Sequence, residues 1–467
     1  MEARAIDTGG RGLRALNLIG GQWQSASGAR EGDSINPANG AEIGSFAAGG
    51  TADARQAIDA ARRAFDAGGL SGDPARRAAL LLRWAERLEG RADLAQLLTL
   101  ENGKVLAQSR QEIAAAVACV RMCAGQLQHG VSPAAQAAGV VAIIVPWHAP
   151  VASLVAWLAP ALAAGCAAVV KPAPQTAQVC AAVIAELAAV EGLPCGVVNL
   201  VSETGQEVAR ELVASRMVDV LCFSGSHETG RKLTAAAAPS AKKLLLDLTR
   251  KSCSLVFADI DVHAVAARLA TAAVVASGQH SSAPRRILVH ASCFDEAKAA
   301  LKRALEQVVV GAGDQAGCGM GPLIDAPALV TVGVRTEQAL ARCDEVVLHG
   351  RRVGGALASG YFLSPTLVAQ RGCAEESSHD EIYGPFVSLG QFEDEGEAVS
   401  LANGMRLARL VSVWSGDAER AGRLARALRN DSVLVNRHDW LAAGGSMAHP
   451  GRKVRATLSD FFAIPGH

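Results

Sequence analysis

Between Val140 and Gly230 short, largely apolar runs alternate with helical stretches, with proline or glycine near the breaks. The runs are Val140 to Val145, Ala167 to Val170, Val197 to Val201 and Val218 to Phe223. A strand with no polar alternation is buried on both faces, which is the signature of a parallel sheet covered by helices. Parallel neighbours need crossover connections, and Ala152 to Leu162, Thr176 to Val190, the stretch from Gln206 and the stretch after Ser226 supply them. The pattern predicts a doubly wound α/β domain that binds its ligand at the carboxyl ends of the strands.

A second α/β unit is expected from Leu244 to about Asn436. Its strands are Leu244 to Leu248, Ser254 to Phe257, Arg286 to Val289, Val346 to Leu348, Pro385 to Phe392 and Val411 to Trp414. Before the first unit lie a strand-turn-strand at Leu18 to Trp23 and a helical region from Ala52 to about Lys104 that closes on Gly103. The expected division is a disordered leader over 1–16, a cofactor-binding domain over 17–243, a catalytic domain over 244–436 and a C-terminal segment over 437–467. With 467 residues there is room for two or three domains.

Charge narrows the partners. Lys plus Arg number 45, as do Asp plus Glu, so nothing favours nucleic acid or an acidic membrane. The apolar stretch from Val151 to Val170 is broken by Pro160 and Gly165 and reads as buried helix then strand, not as a bilayer span. The opening Met1 to Arg14 lacks the apolar core of a signal peptide. Eleven cysteines, an odd number without metal-type spacing, suit a reduced, cytoplasmic protein.

Five segments at loop positions carry the chemistry: Pro146-Trp147-His148-Ala149-Pro150, Phe223-Ser224-Gly225-Ser226 with Gly230, Leu246-Asp247-Leu248-Thr249-Arg250-Lys251-Ser252, Gly278-Gln279-His280-Ser281, and Asp380-Glu381-Ile382-Tyr383-Gly384-Pro385-Phe386. Each alone is weak, because glycine turns before helices and acids on buried strands are common. Together, and in this order, they resemble the aldehyde dehydrogenase superfamily over nearly the whole chain. Ile19 to Trp23, Glu101 to Lys104, Lys171-Pro172, Val433 to Asn436 and Gly444-Gly445 are similar to further segments of that family. The resemblance implies the aldehyde dehydrogenase fold, a nicotinamide cofactor (NAD or NADP), a small-molecule aldehyde as substrate and its oxidation to the acid. It places Trp147, Lys171, Gly225, Ser226, Gly230, Glu381 and Tyr383 at the cofactor. It places His148 as oxyanion donor, Asp247 as general base and Ser281 as nucleophile.

Each of those last three positions departs from the family pattern. The family has asparagine, glutamate and cysteine where this chain has His148, Asp247 and Ser281. A cysteine thiolate is populated near neutral pH, whereas a serine hydroxyl needs a base to become a nucleophile. Thr249 and Arg250 replace paired glycines beside the nicotinamide, and Pro174 replaces the glutamate that favours NAD, so either cofactor stays open. These changes point to an impaired or inactive dehydrogenase. The alternatives are ester hydrolysis through Ser281 and a non-catalytic partner or ligand-binding subunit. Only a short link joins Gln126 to Ala142, where the family carries two arm strands. The resemblance therefore implies a homodimer with a reduced oligomerisation arm, to which Thr457 to Ile464 would add a strand.

Overall fold

A computed structural model describes residues 6–7, 13–70, 72–128, 136–248, 252–370, 382–404, 410–430, 432–439, 447–448 and 457–463. The four apolar runs become the parallel strands Val140–Ile144, Ala167–Lys171, Val198–Leu200 and Val220–Gly225. With Lys243–Leu248 they order as Lys243–Leu248, Val220–Gly225, Val140–Ile144, Ala167–Lys171, Val198–Leu200, and the hairpin Asn17–Ile19 and Gln22–Gln24 follows. The chain starts in the middle at Val140–Ile144, winds one way to Val198–Leu200, then returns to the other side at Val220–Gly225. That reversal opens a crevice between the carboxyl ends of Val140–Ile144 and Val220–Gly225. Phe223 and Ile144 stand in register on its two sides, and Lys171 is in register with Ile144 on the next strand.

Lys243–Leu248 corrects the expected boundary at residue 243/244. This strand pairs in parallel with Val220–Gly225 over its full length, so it is the edge of the first sheet and not the opening of the second. An apolar run carries no mark of which sheet it joins. The chain leaves the first sheet at Leu248 and enters the second at Ser252, so the carboxyl edge of one sheet leads to the amino edge of the other.

The second sheet orders as Glu345–Leu348, Thr366–Gln370, Phe386–Phe392, Pro284–His290, Ser252–Val256, Leu410–Trp414, Ser432–Val435, Met447–Ala448. The six inner strands are parallel and the two outer ones antiparallel. Thr366–Gln370 was not expected, since its five residues follow a proline and carry polar ends. A third, four-stranded sheet joins Ile6–Asp7, Leu13–Ala15, Glu42–Ala47 and Glu31–Ile35. The leader expected to be disordered over 1–16 is thus partly structured: Leu13–Ala15 runs parallel to Gly44–Phe46, and Ala15 is buried. Gly44 permits this, because a Cβ there would lie 2.0 Å from the Leu13 carbonyl oxygen.

Small side chains let helices press onto the first sheet. The helix Pro150–Ala164 begins on a proline, whose missing N–H costs nothing in the first turn, and ends at Gly165 in the left-handed region (φ 98°). Ala159, Ala161, Ala163 and Ala164 are all buried along it. Among the described residues no helix is long and apolar enough to cross a membrane. Among the described residues of the C-terminal segment, the short 3-10 helix Leu458–Phe461 lies against the first domain, and one bridge joins Ala137 to Phe462 in place of the arm strand expected over Thr457 to Ile464.

Candidate functional site

The loop that carries Ser281 lies ahead of the strand Pro284–His290, at the amino edge of the second sheet. Its backbone is unusual. Ala276, Ser277 and Gly278 follow one another in the left-handed region, at φ 47°, 58° and 69°. Two of these are not glycine, and such strain persists only where the surroundings enforce it. They do so here. The Ser277 hydroxyl sits 2.7 Å from the carbonyl of Gly321 and 2.8 Å from that of Pro322. Gln279 donates to the Ala276 carbonyl and accepts from the Ile324 N–H at 3.0 Å. A Cβ on Gly278 would fall 2.1 Å from the Gly384 carbonyl oxygen, so the segment containing Tyr383 and Gly384 presses directly on the loop.

Opposite stands the Pro146–Pro150 turn, fixed from behind by buried charge. Lys104 and Glu112 form an ion pair with both side chains fully buried. Lys104 Nζ also donates to the His148 carbonyl at 3.0 Å, and Asn102 donates to that of Trp147 at 2.6 Å. Glu112 accepts the N–H groups of Val151 and Ala152, placing its carboxylate on a helix N-terminus. The result brings the His148 ring to 5.6 Å, centroid to centroid, from that of His280. The loops carrying His148 and His280 thus lie side by side.

Ser281 is 5% exposed, and its carbonyl accepts from the Ser252 hydroxyl at 2.8 Å. Among the described residues its own hydroxyl has no hydrogen-bond partner. His280 turns instead to Ser282, with Nδ1 2.7 Å from that hydroxyl. Asp247 is half-buried on the edge strand, in register with Ser224. Tyr383 lies under the Arg285 guanidinium, 5.4 Å from the ring centre, and Arg285 donates to the Gly384 carbonyl at 3.0 Å. Glu381, Thr249 and Arg250 lie outside the described residues.

His438 enters the site without warning from the sequence. One ring nitrogen, Nε2, is 2.6 Å from the Ser282 carbonyl, which can only accept, so Nε2 carries the proton. Nδ1 must then accept, and the Ser412 hydroxyl at 2.9 Å donates to it. Ser412 Oγ in turn accepts from Trp414 Nε1 at 2.9 Å and meets Ser254 Oγ at 2.7 Å. Burial holds the His438 imidazole below its ordinary titration range. A neutral ring is what this chain of donors requires. Ser282 and His438 stand 156 positions apart, and only the sheet order joins them.

At the carboxyl edge of the first sheet, Gly225 ends a strand and Ser226 caps the helix His227–Ala237, accepting from the Thr229 N–H at 3.2 Å. Gly230 lets that helix lie on the edge strand, since a Cβ there would meet Leu248 at 2.5 Å. Lys171 is nearly buried and pairs with Glu203 at 3.3 Å. A strand end at a switch point, a glycine-serine turn opening a helix and a lysine on the next strand fit the phosphates and ribose of a dinucleotide.

Comparison with known proteins agrees with this geometry. The aldehyde dehydrogenase family model matches residues 23–454. A glutarate-semialdehyde dehydrogenase of Pseudomonas putida is 33% identical, the match covering 91% of this chain and 90% of that protein. A betaine aldehyde dehydrogenase of Bacillus subtilis is 32% identical over 90% of this chain and 89% of its own length. Among solved structures, betaine aldehyde dehydrogenase of Staphylococcus aureus in complex with NAD+ superposes with a TM-score of 0.89 at 27% identity, covering 96% of this chain and 93% of that one. Sequence pattern, sheet order and the meeting of the two loops lead to one assignment: this chain belongs to the aldehyde dehydrogenase family.

Proposed function

We propose that this protein keeps the dinucleotide-binding scaffold of its family while its dehydrogenase turnover of aldehydes is impaired or lost. The observation that carries this reading is Ser281. It occupies the nucleophile position of the loop, and among the described residues no base accepts its hydroxyl proton. An unassisted serine hydroxyl is a poor nucleophile at neutral pH, and without covalent capture the aldehyde forms no tetrahedral adduct from which hydride can depart. His148 in place of an amide donor and Asp247 in place of a glutamate support the same conclusion.

Trp147, Lys171, Gly225, Ser226, Gly230, Glu381 and Tyr383 would hold NAD or NADP, which supplies the hydride acceptor when bound. Solved relatives with NAD+ and curated relatives named for NADP+ favour neither over the other. None of the ten described cysteines is in a disulfide, which suits a reducing, cytoplasmic setting, and a homodimer is the assembly we expect.

The deciding experiment has two arms. Calorimetry with NAD+ and NADP+ should give micromolar binding of at least one. A panel of aldehydes, including semialdehydes and betaine aldehyde, should give reduced nicotinamide at well below the roughly 10 s⁻¹ of a median enzyme, by about a hundredfold or more. Turnover near that median with any of them would sink the proposal. Ser281→Cys should raise turnover with the same panel, since it restores a group that ionises in the working pH range.

A further inference from the structure

We propose that Cys119, Met122 and Cys123 form a binding site for a soft, thiophilic cation of low coordination number, with Cu(I) as its ligand. The inference goes beyond the dinucleotide scaffold and does not rest on it.

The three sulfurs share one helix face. Leu106–Gln128 is helical throughout and carries the run Cys119-Val120-Arg121-Met122-Cys123. Residues three and four apart on a helix are neighbours, with about 5–6 Å between their Cβ atoms. Cys119 therefore lies beside both Met122 and Cys123. Helical side chains lean towards the N-terminus, which carries the Cys123 thiol back over Cys119. The two thiols are hydrogen-bonded to each other. A cation that takes the place of the bridging hydrogen joins two sulfurs already in contact.

Burial gives the face an inside and an entrance. Cys123 is 2% exposed in the core of the first domain, Cys119 is partly exposed, and Met122 is 48% exposed. The unbranched Met122 side chain has the reach to bring its thioether over Cys119 from the solvent side. One turn back, Ala115 and Ala118 leave only methyl groups beside that approach. Cys166, Cys180 and Cys222 also lie in the first domain, but at 0% exposure they have no such entrance. Cys119 is seven residues beyond Glu112, about 10 Å along the helix, so the site is separate from the Pro146–Pro150 turn that Glu112 supports.

The donors select the ion. Thiolate and thioether are soft ligands, the set that favours Cu(I). Among the described residues no group of three or more His, Cys, Asp or Glu is gathered to hold a metal, so a closed tetrahedral zinc site is not available. Two thiolates and one thioether satisfy a two- or three-coordinate ion. The bond to Cys119 and burial push the Cys123 thiol well above its ordinary range, so its proton leaves only in exchange for metal. Binding breaks two S–H bonds and forms two copper–thiolate bonds, while Met122 contributes a lone pair. Two protons pass to solvent, and copper stays Cu(I).

The test titrates the full-length protein, reduced and free of oxygen, with Cu(I) held as its coloured bicinchoninate complex. The parent should withdraw one equivalent, and X-ray absorption of the bound copper should report sulfur neighbours alone. Cys119→Ala and Cys123→Ala should each weaken binding by more than the roughly 10–100-fold that loss of a supporting partner costs, and Met122→Leu by about tenfold. Cys195→Ala, which removes an exposed thiol elsewhere, should leave uptake unchanged. No uptake by the parent overturns the proposal. So do parental affinity in the double variant Cys119→Ala/Cys123→Ala, loss of uptake in Cys195→Ala, nitrogen or oxygen neighbours around the copper, or displacement of Cu(I) by an equal concentration of Zn(II). Should Cys123→Ala fail to fold, Cys119→Ala and Met122→Leu decide, since neither alters a fully buried side chain.

Discussion

His438 carries a pH dependence that can be worked out from its surroundings. Its ring is held neutral by burial, so its folded-state titration lies below the ordinary 6.5. As pH falls below about 6.5 the unfolded chain takes up a proton that the folded ring refuses, so folding stability drops on that side. Protonation would also put a hydrogen on Nδ1, against the Ser412 hydroxyl that now donates to it. Glu101 acts in the opposite sense over part of the same range. Burial pushes its carboxyl up to about 7, so the folded state loses stability as pH rises from 4.5 towards that value. A melting curve of the unaltered protein mixes the two, and a difference between proteins isolates one. Replacing His438 with glutamine keeps a donor for the Ser282 carbonyl but cannot titrate. The gap in melting temperature between parent and His438→Gln should therefore shift in favour of the variant between pH 7 and pH 5. A constant gap would mean that His438 does not titrate against folding. At this scale the sequence is least readable. Ser281, His148 and Asp247 are proposed from their place in motifs, whereas the direction in which His280 points, to Ser282, is set by a turn only three residues long. Nothing in the run Asn436-Arg437-His438 hints that its histidine crosses to a loop on another strand.

Elements were more legible, for a physical reason. Val140–Ile144 and Ala167–Lys171 are buried on both faces, and burial of that kind leaves an unbroken apolar run in the sequence. Thr366–Gln370 is buried as well, but five residues with polar ends look the same in a loop. Lys243–Leu248 was read as a strand and assigned to the wrong sheet, because pairing partners lie outside any local window. The loop from Gly278 to Ser281 was legible through Gly278, yet its need for glycine comes from a distant backbone. Gly278→Ala would place a methyl 2.1 Å from the Gly384 oxygen at φ 69°, so the loop must shift or the Tyr383 segment must yield. We expect a loss of roughly 2–4 kcal/mol of stability, combining overpacking with left-handed strain, read by denaturant titration. The turn across from it depends on Lys104. Lys104→Met leaves Glu112 charged and buried, and removal of one partner from such a pair costs about 3–5 kcal/mol. Restoring stability by adding Glu112→Leu would show that the penalty is the orphaned charge rather than the lost methylenes.

Across the whole molecule, the two sheets are tied by segments that cross between domains, and the last of these makes a testable claim about cooperativity. Phe461 comes after the final strands of the second sheet, yet it is completely buried in the core of the first domain. Its carbonyl accepts from the Ala138 N–H at 2.8 Å, the next bridge joins Phe462 to Ala137, and Lys243 donates to the Asp460 carbonyl at 2.6 Å. The first domain's core is therefore incomplete until Phe461 has been made. Phe461→Ala removes a large side chain from a site with no solvent access, a change worth about 3–5 kcal/mol. If the domains unfold independently, hydrogen exchange should lose protection in Val140–Ile144 and Ala167–Lys171 while Pro284–His290 and Ser252–Val256 keep theirs. We expect this first pattern, because the cavity lies entirely within the helices and strands of the first domain. Equal loss in both sheets would mean that the turn held by Lys104 and Glu112 and the clamped loop from Ala276 to Ser281 couple the domains strongly enough to melt as one. In that case a substitution far from the paired loops of His148 and His280 would disturb them as directly as one within them.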